Sequence, residues 1–164
     1  MKHLIKPREK WDVDKLKNFR LNNPKENKPK MNDTIEFIYI NDSELLKKLN
    51  SNKYRTHPKY PIAINDNGEE AYDLRDGFKL IKLSNRNSHN RPSYKFRGYK
   101  KKYISVLVAE SWYSKLRGED EEIHHIDFNK LNNHYKNLEF LTSLEHLKKH
   151  RQYYNLKPKT GCYF

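Results

Sequence analysis

The sequence predicts an α+β fold in which a small, basic, antiparallel-sheet region precedes a C-terminal strand–loop–strand–helix unit. Three observations carry this. Short segments that alternate apolar and polar residues recur between turn signals from residue 34 to 103, as half-buried antiparallel strands do. The stretch ISVLVAESWYSKL sets Ile104, Leu107, Val108, Trp112 and Leu116 at helical spacing, with Gly118 placed to end the helix. From Glu121 to Arg151 two further short alternations, EEIHHID and NLEFL, lead into a helical segment.

Residues 1–33 are polar and basic and read as an arm and linker. Within them WDVDKLKNFR can form a short helix capped by Asp12, with Val13, Leu16 and Phe19 along one side, before NNPKENKPKMND breaks it. TIEFIYI reads as a strand and SELLKKLN as a helix that Asp42 can cap. YPIAINDNGEEAYDL reads as a hairpin turning at Asn67-Gly68. FKLIKLS and YKFRGYKKKYIS then read as antiparallel strands about the polar loop NRNSHNRPS.

No aspartate or glutamate occurs from Gly77 to Ala109, where Lys79, Lys82, Arg86, Arg91, Lys95, Arg97, Lys100, Lys101 and Lys102 are interleaved with aromatics. The net charge of +13 and this clustering predict an anionic polymer as partner, because each phosphate neutralised releases a condensed counterion. A sheet face of cations and aromatics suits DNA backbone contacts, so residues 34–103 are read as a DNA-binding region. With 35% hydrophobic residues the chain supports only a modest core. The single cysteine, Cys162, excludes an internal disulfide framework and fits a reducing compartment. No apolar run follows the basic N-terminus as in a secretory signal, and none is long enough to span a membrane.

Five of the eight histidines lie between Glu121 and Arg151. On a strand, the adjacent His124 and His125 point to opposite faces, so one can bind a metal while the other meets a substrate. Thr142 and Glu145 form a capping box that opens a helix, and His146 and His150 share a face of it one turn apart. His124, His146 and His150 can thus gather around one divalent ion. His125 is left as a general base that strips a proton from water. His134 carries no such signal and sits in the loop between the strands.

The run HHIDFNKLNN followed by KNLEFLTSLEHLKKH resembles the ββα-metal motif of the HNH endonucleases. The resemblance implies that residues 104–164 are a nuclease domain in which His124 is the first metal ligand and His125 the general base. Asn137 would orient the base ring from the second strand, and His146 would be the closing ligand. His150 has two readings: colicin-type DNases use two helix histidines at this spacing, whereas homing-type enzymes often use one helix ligand. The nitrogen-rich set shifts preference from Mg2+ toward Zn2+, with Mn2+ also compatible. Tyr60 to Gly68 resembles in outline a small module joined upstream of phage HNH domains. ISVLVAESWYSKL resembles the helix preceding the HNH strand, with Ser105 and Val106 in place of the usual histidine and arginine.

These readings point to a DNA endonuclease most like the free-standing or intron-encoded homing enzymes of phages. It would be a monomer that nicks double-stranded DNA in the host cytoplasm, with no membrane and no small-molecule substrate. Lys148 or Arg151 would hold a flanking phosphate, and Asp127 would support a ligand from behind. The rivals are a less specific nuclease of restriction or colicin type and a DNA-binding regulator whose ββα unit is stapled by zinc.

Overall fold

The computed structural model describes residues 9–24, 39–83 and 91–156. Residues 34–38 of the expected strand TIEFIYI, most of the linker after Asn22, the loop containing Arg86, and Pro158 and Cys162 lie outside them. The fold is α+β, with four helices and three antiparallel sheets among the described residues. The first sheet has the order β1 (Tyr54–Thr56), β2 (Ile62–Asn65), β3 (Ala71–Asp73), β4 (Phe78–Lys79). The second is β5 (Ile81–Leu83), β6 (Ser93–Lys95), β7 (Lys102–Tyr103), and the third pairs β8 (Glu121–His125) with β9 (Leu138–Thr142). FKLIKLS is therefore divided between two sheets, and YKFRGYKKKYIS is broken by a turn in which Gly98 has φ 75°.

Helix α1 (Val13–Asn22) starts as its sequence demands, with the Asp12 carboxylate accepting the Lys15 amide at 2.8 Å. Only part of the expected side is inward: Leu16 is buried and Val13 faces solvent. Helix α2 (Asp42–Asn50) is capped by Asn41, which accepts from the Glu44 amide at 2.9 Å. Asp42 is instead the first helical residue and pairs with Arg20 at 2.7 Å.

Strand β2 is apolar on both faces and separates two cores. Ala63 joins Trp11, Leu16, Leu45, Leu49, Tyr72 and Leu74 on the α1–α2 side, so α1 is packed into the folded body. Ile62 and Ile64 join Phe78, Tyr94, Leu107, Val108, Trp112, Leu138 and Phe140 on the other. That second core includes helix α3 (Ile104–Trp112), which is buried along nearly its whole length. The helix ends earlier than Gly118 predicts. Tyr113 caps it, Ser114 turns the chain with φ 48°, and Leu116 is exposed rather than packed.

Helix α3 ties the first sheet to the β8–β9 unit. Trp112 stacks on Tyr135 with ring centroids 4.3 Å apart, and its indole N–H donates to the Asn65 carbonyl at 3.3 Å. The Tyr135 amide donates to the Asp66 carbonyl at 2.9 Å, and the Tyr113 hydroxyl to the Tyr135 carbonyl at 3.0 Å. The buried His57 and Glu110 add a second tie, 2.9 Å apart. The His57 Nδ1 accepts the Lys59 and Tyr60 amides, so its proton sits on Nε2, toward the carboxylate. No helix among the described residues is long and apolar enough to cross a membrane.

Candidate active site

Strand β8 carries Glu122 and His124 on one face and Ile123 and His125 on the other. Five cross-strand pairs with β9 fix its register, from Glu121 opposite Thr142 to His125 opposite Leu138. Helix α4 (Ser143–Leu156) follows directly, opened by the expected capping box. Glu145 accepts the Thr142 amide at 2.9 Å, and the Thr142 hydroxyl accepts the Glu145 amide at 3.3 Å. The helix lays His146 and His150 beside His124.

The three imidazoles offer nitrogen atoms that all lie within 4.8 Å of one another. The Nε2 atoms of His146 and His150 are 3.1 Å apart. Two nitrogen ligands about 2.0–2.1 Å from one tetrahedral ion are separated by about 3.3 Å, so this pair is already spaced for a shared ion. Burial, and then the neighbouring His146, depress His124 to about 4. The same two causes depress His150. Both are therefore neutral at neutral pH, the form that ligates. The donor set of His124, His146 and His150 could hold a divalent metal.

Phe128 closes one side of this cluster. Its ring stacks on Tyr153 at 3.8 Å and meets His124 and His150 edge-on at 4.9 and 5.1 Å. Its φ of 61° is a left-handed conformation that a bulky residue adopts only where the surroundings hold it.

On the opposite face His125 is buried, 7% exposed, and its Nε2 lies 3.1 Å from Asn133 Oδ1. The Asn133 amide nitrogen donates to the Leu131 carbonyl at 3.3 Å, which turns the amide oxygen toward the imidazole. His125 thus donates from Nε2, leaving the Nδ1 lone pair basic and without a hydrogen-bond partner among the described residues. Burial first, then the charges of Arg91 and Lys130, pull its pKa below the ordinary histidine value.

The contact with the His125 ring expected of Asn137 is made by Asn133. Asn137 lies in the 3-10 turn (Tyr135–Asn137) before β9, and its side chain is spent on the loop. It donates to Asp127 Oδ1 at 2.8 Å and the Asn132 carbonyl at 2.9 Å, and accepts the Asp127 amide at 3.1 Å. Asp127 gathers Asn129, Asn132 and Asn137, and Glu122 Oε2 lies 2.8 Å from His146 Nδ1. His134 caps the 3-10 turn.

The cations divide. Lys79 and Lys82 pair with Glu70 and Glu69 at 3.1 and 3.2 Å. Arg97, its side chain 11% exposed, turns inward to Asp76 and lies 3.8 Å from Asp73. Lys95, Lys100 and Lys101 are exposed, and Lys102 is half-buried over the Tyr60 ring. Arg91 is half-buried with its Nε unpartnered, and its charge and that of Lys130 reach both His125 and His150. Lys148 and Arg151 face solvent on α4.

Residues 102–148 match the family model described as HNH endonuclease. This segment is similar to HNH endonucleases. It contains α3, β8, β9 and the start of α4, the elements that hold His124, His125 and His146. The chain also matches the solved structure titled "DNA binding and cleavage by the HNH homing endonuclease I-HmuI", at 21% identity and a TM-score of 0.42, over 76% of this chain and 62% of that one. It therefore spans less than two thirds of the length of that HNH protein. No curated protein matches.

Proposed function

We propose that this HNH-family protein is a metal-dependent DNA endonuclease, a site-directed, homing-type enzyme that nicks double-stranded DNA as a monomer. The observation that carries the reading is the pairing of a three-histidine cluster on one face of β8 with an oriented, neutral histidine beside it. A bound divalent ion would supply positive charge to a phosphate oxygen and the leaving 3′ oxygen. His124, His146 and His150 would hold it, and their nitrogen set favours Zn2+ over Mg2+, with Mn2+ compatible.

His125 Nδ1 would take the proton of the water that attacks phosphorus in line. Asn133 keeps that nitrogen unprotonated by accepting from Nε2. Asn137 pins the loop that presents Asn133. Arg91 and Lys130, whose charges are felt at both His125 and His150, would meet the scissile phosphate. Lys95, Lys100, Lys101 and Lys102 would track the flanking backbone.

The test is cleavage of supercoiled plasmid by the purified protein after EDTA treatment and after return of Zn2+, Mn2+ or Mg2+. Metal-dependent nicking at discrete positions is expected, with His125→Ala losing about 10²- to 10⁴-fold in rate while retaining metal. Binding without metal-dependent cleavage would leave the zinc-stapled regulator. Unpositioned cleavage would leave the unspecific nuclease.

A further inference from the structure

We propose that Glu122 is a positioning residue that presents His146 to the metal as an Nε2 donor. The inference rests on reading the three histidines as a ligand cluster. Glu122 Oε2 lies 2.8 Å from His146 Nδ1. A carboxylate can only accept there, so Nδ1 carries a proton and, in the neutral ring that ligates, the Nε2 lone pair is free. That Nε2 is the atom 3.1 Å from the Nε2 of His150, inside the cluster.

The carboxylate is itself fixed, because the Ser143 hydroxyl donates to its other oxygen at 3.0 Å. Ser143 is the first residue of the helix that carries His146, and Glu122 is two residues before His124 on the strand. One carboxylate therefore links the strand that supplies one ligand to the helix that supplies the other two. Carboxylate partners of this kind set the tautomer and raise the basicity of a ligating histidine.

The experiment compares full-length wild type with Glu122→Ala and Glu122→Gln, with Glu119→Ala as a charge control. Zn2+ is titrated into the EDTA-stripped, dialysed proteins, and the His146 tautomer is read from long-range 1H–15N correlations without metal. Wild type should show the Nδ1–H tautomer. Glu122→Ala should lose it and bind Zn2+ about 10- to 100-fold more weakly. Glu122→Gln, whose amide oxygen still accepts from Nδ1–H, should recover part of both, and Glu119→Ala should match wild type. The melting temperature should barely move, because the Glu122 side chain is 45% exposed.

Equal Zn2+ affinity in wild type and Glu122→Ala, or an Nε2–H tautomer in wild type, would overturn the proposal. A wild type that takes up no Zn2+, Mn2+ or Mg2+ would instead fail the underlying metal reading.

Discussion

Replacing Asn133 by alanine tests whether the base is held by the loop in front of the second strand. The side chain makes a 3.1 Å contact with His125 Nε2 and is only 4% exposed, so water cannot easily take its place. A buried hydrogen bond lost from one side costs about 1–3 kcal/mol, which is about 5- to 150-fold in the population of the correctly oriented tautomer. Removing the base altogether costs about 10²- to 10⁴-fold, which sets the ceiling. Asn133→Ala should therefore slow nicking by about 10- to 100-fold, with DNA affinity and metal content unchanged.

Single-turnover cleavage of an end-labelled duplex at saturating protein and metal measures this step directly. Asn133→Asp restores the acceptor and adds a negative charge, which favours the imidazolium. It should keep the orientation but move the acid limb of the pH–rate profile upward, because the base is now lost to protonation at higher pH. A rate for Asn133→Ala within about twofold of wild type would refute the assignment of the orienting bond. So would a fall that Asn137→Ala reproduces in full without any loss of thermal stability, since Asn137 is bonded to the loop and not to the ring.

Three further outcomes follow from the packing and charge. Gly68→Ala should lower stability by about 2–4 kcal/mol, read by urea unfolding, because φ is 71° and an added Cβ would lie 2.1 Å from Ile104 Cγ2. Reversing the exposed Lys95 and Lys100 to glutamate should lower the slope of log K against log salt by about 0.9 for each phosphate no longer neutralised, without slowing cleavage of saturated DNA. Glu70, held down to about 2 chiefly by the Tyr54 hydroxyl and then by Lys79 and Lys48, should contribute about 1–2 kcal/mol after allowance for its partial exposure. Because its folded value is depressed from 4.5, that contribution is full above about pH 5 and lost as pH falls toward 2. The stability gap between wild type and Glu70→Gln should close over this window.

The sequence made the histidine cluster legible because helix and strand periodicities are rigid. Adjacent residues on a strand diverge and residues four apart on a helix converge, so His124, His146 and His150 had to meet once both elements formed. The loop was not legible in the same way. FNKLNN offers several asparagines to His125, and the choice between Asn133 and Asn137 depends on Asp127 collecting the neighbouring amides, which no spacing reveals. Gly118 misplaced the end of α3 for a related reason. Glu110, inside the helix, accepts the Arg117 amide at 2.8 Å and bends the chain back before the glycine is reached. Glu122 was hidden because an acid on a half-buried strand carries no signal until the helix that follows brings His146 to it.

The acid-free stretch from Gly77 to Ala109 shows why charge runs read along a chain mislead. Its cations face acids that precede it: Glu69, Glu70, Asp73 and Asp76 lie on or beside β3, and the antiparallel pairing of β3 with β4 returns the basic segment past them. Lys79, Lys82 and Arg97 are drawn toward these partners, so the net charge is not spread over one face. What remains outward is the group Lys95, Lys100 and Lys101 on the second sheet and its turn. Arg91, on the segment leading into that sheet, instead acts on His125 and His150, as Lys130 does from the β8–β9 loop. A duplex lying along the second sheet would thus meet these lysines first and the histidine site near Arg91, on the segment that leads into the sheet. Binding and cutting would then be joined through that arginine rather than through the aromatic face, whose Tyr94 and Phe96 are buried in the core.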